Sequence, residues 1–562
     1  AAEWLTRAGH DVLGMSPMAA CDLYSEALDI APPTWEGRTG LHALMIEPIA
    51  WCGDFARAEA FGTAVLAASP SPEVEFQALR GLSMVHGNRG SVPKCDEYLT
   101  RAIDSAAAPI NEALRLSCVR AQLRFLSRQA TADETRRLAG DALTHGIAGD
   151  DHTTVCIARQ VLAIVDICEG YAQRGLEHLS AALAVLDLGR VSANSSYLML
   201  ETFHAGVLME LDEIDAGVIA AARARERMLR RGAVPYVPVT HFGTAAALYT
   251  AGRYEDAAAE LETGAGVAND IGNTLFDAYR SGIAADIDIR HGNLVSAAGH
   301  IATGTRHLAG GGSAFGADWL MGTQTRLLAA TGDTGAALNV GELGWRLSET
   351  IRYFIGHKDR AVVLARLAIN AGRLDLADEV VDVMEEGARR SPAASAAAAA
   401  LHVRGLRSND PDMLVAAAER YSASPHRVAG AECRVDAAAA LAGRHTQTAI
   451  DLLRDARDVF AAVGDAGNLS DADERLRSLG GRPRRTGNAR PSTGWQSLTP
   501  TEHKVCVLLV EGLSNPAIAE RLFVSSRTIE THLSHIFRKT KTMSRTQLAT
   551  EYLRQNTPDD QR

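Results

Sequence analysis

The sequence predicts an all-α protein: a solenoid of stacked helix pairs with a period of about 40 residues, then a small four-helix domain. Three observations carry this reading. Short segments recur every 40 residues through the middle of the chain, the composition is rich in alanine, and composition and charge change abruptly at residue 481. At 46% hydrophobic, 22% charged and 5% aromatic, the chain has the make-up of a folded helical protein rather than a disordered one. Its 562 residues would divide into three or four ordinary domains, unless a repeat supplies one long one.

The repeat is the first element to justify. "GRYEDA" from Gly252, "GNLVSA" from Gly292, "GDTGAA" from Gly332 and "GRLDLA" from Gly372 align without gaps at steps of 40. The register extends upstream to Leu211, Gly170, Ala130 and Gly90, and after a shorter step to Gly53; downstream it points to a unit near 412, and "GRHTQTAIDLL" follows from Gly443 out of phase. Each unit reads as a helix stopped by glycine in the left-handed conformation, a turn, and a second helix whose early alanine permits close approach. Tetratricopeptide repeats have a period of 34, so residues 1–480 read as tetratricopeptide-like with longer helices or turns. Stacked units curve and leave a concave surface for a peptide, protein or small ligand; a bare spacer is the plainer alternative.

Residues 481–494, "GRPRRTGNARPSTG", carry four arginines among Gly, Pro, Ser and Thr and no helix-forming apolar face. They read as a flexible basic linker, with Arg482, Arg484, Arg485 and Arg490 able to touch phosphates. From Gly481 onward the chain holds 13 Lys+Arg against 7 Asp+Glu, whereas the preceding 480 residues hold 44 against 61. An acidic bulk argues against a nucleic-acid surface on the solenoid, and the basic end permits one there.

Residues 495–562 can be parsed from their caps. Thr499, Pro500 and Glu502 form a capping box with proline in the first turn, Val505, Leu508 and Leu509 point inward, and Gly512 stops the first helix. Ser514 caps a short second helix with Ile518, Ala519 and Leu522 inward, and Ser525 caps a third running to about Lys539. On the third, Ile529, Leu533 and Ile536 form an apolar stripe; Arg527, Glu530, Thr531, Ser534 and Arg538 share another face. Short polar side chains flanked by cations suit a major-groove helix, because cations neutralise phosphates while short chains approach base edges. A fourth helix from Arg545 offers Leu548, Tyr552 and Leu553 for packing or pairing.

The run of Leu498, Thr499, Pro500, Glu502, Gly512, Ser514, Asn515, Ile518, Ala519, Leu522, Ser525, Thr528, Ile529, His532, Ile536, Lys539, Ser544, Arg545 and Leu548 resembles the DNA-binding domain of the LuxR family of bacterial transcription regulators. The resemblance implies that the third helix enters the major groove. Glu530, Thr531 and Ser534 would then face bases, with Arg527, Thr528, Arg538 and Lys539 near phosphates. It implies dimerisation through the fourth helix by Leu548, Tyr552 and Leu553, and a structural or phosphate-contacting role for His532. Two positions depart from the pattern. Glu530 stands where a basic residue is common and could only accept from a base amine such as cytosine N4; "KTKT" from Lys539 replaces K-L-G, removing a core leucine and a C-cap glycine.

Helical repeats before such a domain resemble the large ATP-binding LuxR regulators. This chain contains no Gly-Lys dipeptide, so no phosphate-loop lysine is available and no cofactor is assigned. Its start at Ala1, inside a helical pattern, suits either a piece of a longer protein or a regulator without a nucleotide module. The eight scattered cysteines read as reduced thiols, Asp150, Asp151 and His152 as a solvated loop, and Gly310 to Ser313 as a turn, none of them an enzymatic or metal site. With no apolar run of membrane-spanning length and no secretory signal, a cytoplasmic location is the default. The expected partners are double-stranded DNA bound as a homodimer, RNA polymerase, and a small-molecule inducer or protein on the solenoid. The rival reading is a helical-repeat scaffold or signalling adaptor whose terminal module associates only with protein.

Overall fold

The computed structural model describes residues 1–13, 16–188, 191, 198–230, 232–349, 357–482, 494–522 and 526–556, without the side chains of Pro500, Thr528 and Asn556. Within these residues the chain is helical, with two short 3₁₀ turns and no strand, and no helix is long and apolar enough to cross a membrane. The predicted basic linker falls almost wholly on 483–493, outside the described residues.

Consecutive helices pair, from Ala2–Val12 with Pro17–Ile30 to Arg427–Leu441 with Thr446–Val463, and Ala466–Ser478 ends the stack. The recurrent glycine does what the repeat requires. Gly252, Gly292, Gly332 and Gly372 all take φ between +73° and +87°, where a Cβ would be strained. Two upstream registers are corrected: the left-handed residue is Asp212 rather than Leu211, and Arg128 lies two positions before Ala130. In the unit expected near 412 the role falls to Asn409, whose neighbour Asp410 caps Pro411–Tyr421. Non-glycine residues at these turns blurred the pattern, because short polar chains tolerate this conformation and arginine must be held there.

The period also appears as polar contacts between adjacent units. Arg326 donates to Asp286, 40 residues away, at 2.7 Å, and Arg290 donates to the Tyr249 hydroxyl, 41 residues away, at 3.1 Å. Asp286 is fully buried and also accepts from Trp319 Nε1 at 2.8 Å, so its charge is compensated from both sides.

A second, longer period follows from curvature. Thr274 Oγ1 donates to the Arg89 carbonyl at 2.8 Å across 185 residues. Ser395 N donates to Asp212 Oδ2 at 2.9 Å across 183, and Arg390 donates to the Glu169 carbonyl at 2.9 Å across 221. The superhelix thus meets its own next turn after about five units. Buried ion pairs reinforce the seam: Lys358 lies 2.9 Å from Glu210, and Arg290 joins Glu432 at 2.5 Å and Asp465 at 3.0 Å. Burial opposes the charge on Lys358, but Glu210 and Asp212 overcome it and raise its pKa.

All eight cysteines are unbonded, and six are buried. Cys21 and Cys52, far apart in sequence, come within hydrogen-bonding reach of one another. Asp151 caps His152–Cys168 and pairs with Arg115 at 2.8 Å, which gives the acidic loop a structural task.

The seam yields a test. Lys358→Met leaves the Glu210 carboxylate without its cation, and the expected loss is about 3 kcal/mol. Denaturant titration should show a lowered midpoint, and adding Glu210→Leu should recover much of it.

Candidate nucleic-acid interface

The terminal domain is assembled by its caps. Thr499 Oγ1 accepts from Glu502 N at 3.1 Å while Glu502 accepts from Thr499 N at 2.7 Å, closing the capping box at the start of Pro500–Val510. Gly512 ends that segment at φ +84°, and Ser514 Oγ accepts from Ala517 N at the start of Asn515–Leu522. The third and fourth helices are Ser526–Thr540 and Arg545–Asn556. The predicted cap Ser525 lies outside the described residues.

The predicted apolar positions close one core: Val505, Leu509, Ile518, Ile529, Ile536 and Leu548 are buried together with Leu498 and Tyr552. One tie was missed from sequence. Arg545 Nη1 donates to Asn515 Oδ1 at 2.7 Å, binding the fourth helix to the second. Both residues belong to the motif, but nothing in their spacing says that they meet.

The site residues divide by environment. Arg527, Glu530, Ser534 and Arg538 are exposed, Thr531 is half-buried, and the Thr528 side chain is outside the described set. Ser534 Oγ donates to the Glu530 carbonyl at 2.9 Å. Lys539 is engaged: its ammonium lies 3.0 Å from Glu502 and 3.7 Å from Glu255, so the capping-box carboxylate holds it against the domain. Of the pairing candidates, Leu548 and Tyr552 are buried in the domain's own core, with Tyr552 Oη 3.2 Å from His503 Nδ1, whereas Leu553 is 52% exposed.

The missing C-cap glycine has a substitute. Lys541 takes φ +58°, and Thr540 and Thr542 join hydroxyls at 2.8 Å across it. Thr542 is buried, so the turn into the fourth helix forms without the leucine and glycine of the pattern.

The terminal domain sits against an acidic face of the solenoid. Ser526–Thr540 packs against Tyr254–Ile271, the second helix of a solenoid unit, which carries Glu255, Asp256, Glu260, Glu262 and Asp270 and no lysine or arginine. Thr501 Oγ1 donates to Asp256 Oδ2 at 3.1 Å, and the Arg527 guanidinium lies over Gly266, where an added Cβ would come within 3.0 Å of Nε. His532 is 5% exposed; burial lowers its pKa, while Asp256, Glu502 and Glu260 draw it partly back. His535 is also lowered, by burial and then by Arg538, against the pull of Glu255, Glu502 and Glu262. Burial alone would raise the pKa of Glu260, but Arg225 and His241 prevail and hold it at about 2, so the acidic helix keeps that charge. Thr501, His535, Glu255 and Asp256 therefore join the candidate site. Only the one-sided charge of residues 254–271 was visible beforehand.

Residues 496–552 match the family model described as bacterial regulatory proteins, luxR family. A Mycobacterium tuberculosis protein named as an HTH-type transcriptional regulator is 43% identical over 115 residues, covering 20% of this chain and 13% of its own length; a Mycobacterium bovis protein of the same description matches equally. A protein of Cyanophora paradoxa named as a transcriptional regulator is 43% identical over 60 residues, 11% of this chain and 29% of its own. The chain thus aligns with only about an eighth of the mycobacterial relatives' length. Among solved structures, a chain of the Cut9–Hcn1 heterotetramer covers 85% of this chain and 96% of its own at 13% identity and TM-score 0.33. A chain of the Naa15/Naa10 complex bound to HypK-THB covers 99% and 94% at 12% and 0.21. The C-terminal domain is a LuxR-type helix-turn-helix.

Lys541→Gly should stabilise this domain by about 0.5–1 kcal/mol, because glycine takes positive φ without the Cβ penalty. Slower hydrogen exchange in the amides of Arg545–Asn556 is the expected readout.

Proposed function

We propose that this chain is a DNA-binding transcriptional regulator whose solenoid is the sensing or docking arm. The observation that carries the reading is the exposed Arg527, Glu530, Ser534 and Arg538 on the third helix of a LuxR-type domain. A major groove admits one helix and presents phosphates along both its flanks. Arg527 and Arg538 suit those phosphates, Thr528 and Lys539 would add contacts, and Glu530, Thr531 and Ser534 would approach bases. On DNA the domain would pair with a second copy through the fourth helix. Leu553 is the exposed candidate there, with Leu548 and Tyr552 supporting it from the core. A small-molecule inducer or protein partner would act on the solenoid, and RNA polymerase is the natural recipient of the output.

The helix Tyr254–Ile271 lies along the flank of Ser526–Thr540 that holds Arg527, His535 and Lys539. A duplex cannot seat there at the same time, so DNA and the acidic helix compete for one surface. In the conformation described the domain is closed, and reading DNA requires it to leave the solenoid. The adaptor reading lacks a comparable observation.

Titration against promoter fragments at several salt concentrations tests the reading. Arg527→Ala and Arg538→Ala should each weaken binding and reduce the salt slope by about 1; an affinity indifferent to both would sink it. Glu530→Lys should strengthen binding to all sequences and shift the preferred one. Charge reversal on the facing helix, Glu255→Lys with Glu262→Lys, should raise DNA affinity several-fold while leaving the DNA-contacting residues intact.

A further inference from the structure

The first helices of six successive units, with Val92, Cys95 and Ser313 beside them, surround a cavity of about 220 Å³ in the superhelix lumen. Carbon dominates its wall, with Leu123, Phe203, Phe276 and Phe315 drawn from both sides of the seam between turns. Protein interiors rarely hold voids larger than a water, since each unfilled wall atom forfeits dispersion contacts.

Two glycines keep this space open. Gly206 and Gly243 lie within the helices Leu200–Glu210 and Val237–Thr250, and an added Cβ at either would meet nothing within 4 Å. Neither is among the positive-φ positions, so the backbone does not require glycine, and glycine is the poorer helix former. Both line the cavity. A methyl group at either position would therefore meet no neighbour.

Most of the wall's polar groups are already satisfied by protein, and two buried hydroxyls, Thr202 Oγ1 and Tyr279 Oη, have no partner among the described residues. Asn88 Nδ2 donates to the Met84 carbonyl at 3.0 Å, and the Gln122 carbonyl accepts from Gln160 at 3.1 Å. Ser313 Oγ accepts from Phe315 N at 3.2 Å, and the Glu210 carboxylate is paired with Lys358 at 2.9 Å. A sugar or nucleotide would strip water from many hydroxyls or charges and find few unpaired partners here, at a cost that apolar contact does not repay.

We infer that the lumen is a binding site for an uncharged, largely apolar small molecule, aromatic or terpenoid in character, with at most one or two hydrogen-bonding atoms for the Thr202 and Tyr279 hydroxyls. A 150 Å³ apolar cavity takes benzene, so in proportion this one takes about nine non-hydrogen atoms. That this molecule is the signal for the DNA-binding domain rests on the proposed function; that it binds does not. The helices Val237–Thr250 and Asp277–Arg290 both contribute to the wall, and the helix between them in sequence carries the DNA-binding domain. An occupied lumen therefore lies one helix layer from the closed contact.

The test uses the full chain and radiolabelled naphthalene as the probe. Saturable retention at micromolar probe, displaced by benzene and untouched by glucose at the same concentration, is expected. Gly206→Leu and Gly243→Leu should each reduce probe binding at least tenfold with an unchanged far-ultraviolet dichroism spectrum, whereas Gly299→Leu on open surface should not. Absence of saturable binding, displacement by glucose, or binding indifferent to both lumen substitutions overturns the site. A promoter-fragment retardation series separates the two readings. Probe binding with no DNA complex in any variant upholds the site and defeats the regulator. A DNA complex unchanged by naphthalene removes the link between them.

Discussion

The contact of the superhelix with its own next turn is the constraint on which the rest of the molecule depends. A helix-pair solenoid needs only neighbour-to-neighbour packing, which the glycine turns and early alanines supply. Here curvature brings units about four to five apart into register, and polar groups there must find partners across the seam because burial leaves them no water. Lys358 with Glu210, Arg290 with Glu432 and Asp465, and Asp212 with Ser395 meet that requirement. The seam encloses the lumen, and it gives the helix Tyr254–Ile271 a fixed outer face on which the terminal domain rests.

Local structure was legible in the sequence to the extent that local chemistry determined it. The capping box at Thr499 and Glu502, the stop at Gly512 and the apolar positions of all four terminal helices could be read from residue type and spacing, because each depends on neighbours within a turn or two. The repeat was legible where glycine marks the turn. It slipped by one or two residues where Asp212 and Arg128 replace it, since those residues reach positive φ through their surroundings rather than their identity.

Long-range placement was not legible. Lys539 sits at a position that suits phosphate, yet the carboxylate it meets, Glu502, is also a helix cap, and only the folded domain shows the two tasks falling on one side chain. Leu548 and Tyr552 read equally well as pairing or packing residues, and only the folded domain shows both buried in its own core. The docking of Ser526–Thr540 on an acidic helix some 270 residues earlier has no local signal beyond charge, and charge alone does not choose among the acidic stretches of residues 1–480.

Staples across the seam also set how such a chain can change its length. An open repeat array gains or loses a unit at the cost of one interface, and families of such arrays differ freely in copy number. Here, deleting one 40-residue unit would offset each later unit from the turn beneath it, setting Lys358 and Arg290 opposite side chains that cannot neutralise them. The copy number is therefore locked by geometry. The same long-range closure raises the mean sequence separation of native contacts, so this solenoid should fold more slowly and more cooperatively than its helical content suggests.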